Sequence, residues 1–150
     1  MASLFAFLHH VAAFVLFAAL VVEFVLTRDA PTLAGARKLL LADLVFGISA
    51  GILLLVGLTR VYFFEKGATY YFHTWTFTAK LSLFILVGLI SIVPTREFLS
   101  WRTAIRQGQA PQPSPVKMHS VRSIIHLELA GIVLILLMAA LMAKGVGLFV

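Results

Sequence analysis

Apolar residues along this chain do not alternate with polar ones at the strand period, and no narrow apolar stripe recurs at the helical period. They run on instead, in four stretches at about residues 4–26, 39–61, 75–94 and 123–145. Crossing a hydrocarbon core of about 30 Å takes roughly 20 helical residues, and each stretch meets that length. The pattern predicts an all-α fold, an integral membrane four-helix bundle in a single transmembrane domain over residues 1–150. The first linker, "TRDAPT", is short and charged, and the second, "FFEKGATYYFHTWTF", is crowded with aromatic residues suited to a membrane interface. In the third, "REFLSWRTAIRQ" puts Phe98, Trp101 and Ile105 on one helical face with Arg96, Arg102 and Arg106 around the rest. That predicts a short interfacial helix in the inner loop, its apolar face on anionic lipid, followed by a flexible connector, "GQAPQPSPV".

Composition agrees with the pattern: 61% of residues are hydrophobic, 12% are charged, and the mean hydropathy is +1.04. The first stretch has no Lys or Arg before it and is too long for a signal-peptide core, so it reads as a permanent span. A net charge of +6 raises nucleic acid as a partner, but in a membrane chain the placement of the cations decides. The first and third loops hold Arg28, Arg37, Lys38, Arg96, Arg102, Arg106, Lys117 and Arg122, against Arg60, Lys66, Lys80 and Lys144 on the other side. The expectation is therefore a multi-pass protein of the bacterial inner membrane with both termini periplasmic, in contact with lipids and not with nucleic acid. Cysteine is absent, which excludes disulfides, thiolate metal sites and covalent haem attachment.

Ionisable side chains inside a span are costly and tend to face the protein interior. Counted at about 1.5 Å per residue from the outer end, His9, His10 and Lys80 fall at one depth, with Arg60 at the end of span two and Tyr70, Tyr71 and His73 in the loop above. Near the inner face lie Glu23, Asp43 and Glu128, with His126. Glu23 follows His9 by close to four full helical turns, so the two share a face, and His9 is preferred over His10 as the inward histidine. The acids have two readings, ordinary pairing with Arg37, Lys38 or Arg122, or a proton or cation pathway. An imidazole is a common ligand for haem iron or copper, and a neighbouring lysine suits a propionate, an anionic substrate or a proton transfer. His9 and His126 cannot clamp one haem between them, because they differ in depth by roughly 15 to 20 Å.

Asp43, Gly47, Gly57, Arg60, "KGATYYF" at 66–72, Phe77, Lys80, Phe84, "SIVPT" at 91–95 and Trp101, with His9 and Glu23, resemble an uncharacterised family of small four-span bacterial membrane proteins, a domain of unknown function. A histidine in the first span and a lysine early in the third, preceded by an aromatic residue, is distantly similar to HemJ-type protoporphyrinogen oxidases and, in part, to copper-resistance D membrane domains. That likeness implies haem b or metal ligation by His9 and a functional role for Lys80. From their place in the outer layer, His10, Lys80 and Tyr71 are also expected at the cofactor and Arg60 beside Lys80 in a catalytic role. HemJ-type proteins share a further histidine after the lysine, and "LSLFILVGLISIVP" has none.

Three functions follow as expectations. The first is a haem-binding, redox-related protein with a His/Lys site in the outer half. The second is a proton- or cation-coupled transporter using Glu23, Asp43 and Glu128. The third is an accessory subunit or homo-oligomer whose G-x-x-x-G face, Gly47 and Gly51, docks a neighbour.

Overall fold

A computed structural model describes residues 2–64 and 73–144, all-α with four rods long and apolar enough to cross a membrane. Helix α1 spans Ala2–Leu26 and α2 spans Leu33–Thr59, continuing into a π-helical turn at Arg60–Phe64. The third rod is built from α3 (Trp75–Ile90), α4 (Ile92–Ser100) and α5 (Arg102–Arg106), and the fourth is α6, Pro115–Ala143.

Hydropathy located the apolar centre of each rod, whereas capping chemistry sets the ends. Thr32 accepts a hydrogen bond from the Gly35 N–H at 3.0 Å and starts α2 at Leu33 instead of about 39, carrying exposed Arg37 and Lys38 on its first turns. Ser114 likewise caps α6 with Pro115 at the first helical position, so α6 begins well before residue 123. Pro94 does not end the third rod. The chain turns at Ser91, and Pro94 falls in the first turn of α4, where its missing N–H leaves no helical bond unmade.

The early start of α6 changes the role of the short helix after Pro94. Its apolar face meets protein rather than lipid: Phe98 is fully buried and Trp101 and Ile105 nearly so, in one core with Leu39, Met118 and Val121. The Trp101 indole N–H donates to Glu97 Oε1 at 3.1 Å, and Lys117 stands 3.5 Å from Glu97 Oε2, tying α4 to α6. Gly108, at φ +72°, closes α5 in the left-handed conformation that glycine adopts freely, with the Gln109 N–H donating to the Ala104 carbonyl at 2.9 Å.

The rods pack as two pairs, α1 with α2 and α3 with α6. At Gly131 of α6 the neighbouring Val87 of α3 occupies the space a Cβ would need. The pairs are joined through α1 and α6 and through α4, which touches both α2 and α6. Two polar ties reinforce this joint: Thr95 donates to Asp43, and the Arg122 guanidinium donates to the carbonyl of Thr27. All of these bonds lie at the end that carries the basic loops. At the opposite end, which carries both termini, the described residues form a small cluster of Val61, Phe77, Leu81 and Met142. The outward faces are apolar, with Phe14 75%, Leu55 69% and Leu127 60% exposed, which inverts the arrangement of a water-soluble bundle.

Candidate functional site

Because the pairs are stapled at the basic end, they leave a gap near the termini. This gap is a cavity of about 540 Å³, walled mostly by apolar side chains such as Leu53, Phe84, Ile132 and Ile135. His9 from α1, Arg60 from the end of α2 and Lys80 from α3 all line it.

His9 is half-buried, its Nδ1 is buried, and among the described residues that nitrogen has no hydrogen-bond partner. The imidazole lies against the backbone of Gly57, where a Cβ would stand 3.3 Å from His9 Cε1. Close approach of α1 to α2 at this level therefore depends on glycine. His10 also borders the cavity but is exposed, with its Nδ1–H donating to the Ala6 carbonyl at 2.6 Å and its ring edge-on to His9 at 6.2 Å. The Lys80 ammonium lies 5.6 Å from the centre of the Phe77 ring. Lys80 and Arg60 are both within electrostatic reach of His9. Tyr70 and Tyr71 lie outside the described residues, and His73 is exposed.

The second polar group is the acidic layer toward the basic end. Glu23 of α1 and Glu128 of α6 are 2% and 1% exposed, and Asp43 of α2 is 9% exposed. Three different helices thus bring three carboxyl groups into the interior. Asp43 Oδ1 accepts from Thr95 Oγ1 at 2.6 Å. Glu23 Oε1 and both carboxyl oxygens of Glu128 have no partner among the described residues. Pairing with the basic loops does not occur there: Arg37 and Lys38 are exposed, and Arg122 is engaged with Thr27. His126 is exposed, donates from Nδ1 to the Arg122 carbonyl at 2.6 Å and packs edge-on to Phe24. It lies at the opposite end of the bundle from His9, so the two cannot share a ligand. No three His, Cys, Asp or Glu side chains among the described residues are grouped to hold a metal ion.

Two contributors escaped the reading of the sequence. Thr95 lay in the "SIVPT" stretch, but nothing in its spacing pointed to Asp43, which is remote in the chain. Thr27, four residues after Glu23, was legible as a helix-terminal hydroxyl that bonds back to the Glu23 carbonyl, here at 2.7 Å. Its carbonyl's use by Arg122 was not.

No curated protein and no solved structure matches the chain. A family model described as "Predicted membrane protein (DUF2214)" matches residues 1–147. With four apolar rods of spanning length and a match over nearly its whole extent, the chain belongs to the DUF2214 family of predicted membrane proteins.

Proposed function

We propose that the cavity near the termini binds haem b, with the His9 imidazole as iron ligand and Arg60 and Lys80 as the cations that receive its propionates. One observation carries this reading: a buried imidazole nitrogen without a partner among the described residues stands at the wall of a largely apolar cavity that two cations flank. The donor set fits the group. An imidazole suits haem iron, guanidinium and ammonium suit carboxylates, and the cavity volume lies within the roughly 300–1,000 Å³ common for small-molecule sites. Haem, when bound, supplies one-electron redox chemistry. The chain's own part is to hold the ligand with His9, exclude water with its apolar walls and pair Lys80 and Arg60 with the propionates.

Protein purified from haem-replete cells is expected to show a Soret band that His9→Ala removes. Wild-type protein that stays colourless after reconstitution with hemin would refute the assignment.

The placement of the cations further supports an orientation with both termini on the outer side, periplasmic in the bacterial inner membrane that we propose as its location. Since cysteine is absent, single replacements are clean reporters of side. An impermeant thiol reagent on intact cells is expected to label Ser3→Cys and Lys144→Cys and to spare Gln109→Cys. The reverse pattern would invert the topology.

A further inference from the structure

Glu23, Asp43 and Glu128 are not used by the haem reading, and they lie at the other end of the bundle. We propose that these three carboxyl groups form a proton-binding site, in which Glu23 of α1 and Glu128 of α6 carry bound protons.

The argument starts from solvation. An ionised carboxylate buried without donors is among the most costly groups a protein interior can hold, and it persists there only when a cation, hydrogen bonds or a proton compensates it. Cations do not supply the compensation. Among the described residues, the charges that act on Glu23 are those of Asp43 and Glu128, and Glu128 also feels Asp43, all acids. Around them, Arg37 and Lys38 of α2 and Arg96 of α4 are exposed, Arg122 of α6 is on the Thr27 carbonyl, and His126 of α6 is exposed on the Arg122 carbonyl.

Among the described residues, hydrogen bonds compensate one member. Asp43 receives the Thr95 hydroxyl, whereas Glu128, 1% exposed, has two carboxyl oxygens without a donor and Glu23, 2% exposed, has one. A divalent metal is disfavoured as well, since the acids are not grouped tightly enough to ligate one. What remains is the proton. Bound to a glutamic acid, it removes the charge and turns one acceptor oxygen into a donor for a neighbouring carboxyl.

Asp43 is the most exposed of the three, and its Thr95 partner on α4 is half-buried near the basic end. The bound protons rest on the two glutamates, whose carboxyl oxygens lack donors among the described residues. Loading each one breaks an O–H bond of hydronium and forms one on the carboxylate, releasing water, with no change in oxidation state.

Infrared spectroscopy of the full chain in lipid nanodiscs tests this directly, whether or not haem is present. Wild-type protein is expected to show a protonated-carboxyl C=O band that shifts to lower frequency in deuterium oxide. Glu128→Gln and Glu23→Gln are each expected to lose part of that band, while elution volume and helical circular dichroism stay at wild-type values. Absence of an exchange-sensitive band in wild type overturns the proposal, and that measurement needs no variant to fold. A band unchanged in both variants overturns it too, as does one that sodium ions abolish at constant pH, because the ligand would then be a cation.

Discussion

Gly57 matters for the side chain it lacks. The His9 ring rests on its backbone, and a Cβ there would press on Cε1 at 3.3 Å, a contact that alanine forces open by a few tenths of an ångström and a branched residue by more. Gly57→Val is therefore expected to turn the imidazole away and, on the proposed haem assignment, to weaken haem binding by about tenfold or more, the scale on which misplaced ligand supports act. Absorbance of reconstituted protein checks this against His9→Ala. Thr95 is the matching residue in the acidic layer. Thr95→Val deletes the donor to Asp43 and leaves a nearly buried carboxyl oxygen unsatisfied, a loss of about 1–3 kcal/mol. Unfolding by sodium dodecyl sulfate in mixed micelles should report that loss. A variant as stable as wild type would mean that the bond contributes nothing.

Among the elements, the short helix after Pro94 has the largest structural role for its size. Its nine residues, Ile92–Ser100, place Phe98 in the core and Thr95 on Asp43, so it joins α2 to α6 where the long rods alone would not. Phe98→Ala is expected to cost about 3–5 kcal/mol, the range for truncating a buried aromatic residue, in the same detergent titration. The amphipathic pattern of this helix was plain in the sequence. Its partner was not, because a helix with an apolar face and an arginine-rich remainder suits a lipid surface and a protein groove equally well. Only the Ser114–Pro115 cap of α6 decided the matter, by extending that rod to carry Met118 and Val121 to the same level.

For the molecule as a whole, the distribution of tight and loose packing places the cavity. Gly131 lets α3 and α6 close together at Val87, and the basic end is stapled by Phe98, Trp101 and three polar ties between helices, which leaves the gap at the end near the termini. The G-x-x-x-G pair behaves differently from Gly131. Nothing among the described residues lies within 4 Å of a Cβ built on Gly47 or Gly51, so no described residue packs on their face of α2. Gly47→Leu is accordingly expected to change the stability of the isolated bundle by less than about 0.5 kcal/mol. If the purified assembly shrinks in that variant on size exclusion, the face is an oligomer or complex interface. If the size is unchanged, this face contributes no partner.

The sequence by itself determined how many rods cross the membrane, since in hydrocarbon a backbone must satisfy its own hydrogen bonds and the four apolar runs are long enough only as helices. It also determined which polar residues share a depth, because a helix rises by a constant amount per residue: His9 with Lys80, and Glu23 with Asp43 and Glu128. Lateral arrangement carries no such signal. Which rods pair, that His9 rather than His10 lies against Gly57, that Asp43 meets Thr95, and that Glu23 and Glu128 are buried with carboxyl oxygens unpartnered among the described residues all depend on side-chain fit between segments distant in the chain. Such fit is decided by short-range packing. The tertiary structure alone therefore decided that one polar layer borders an open cavity and the other is sealed in the core.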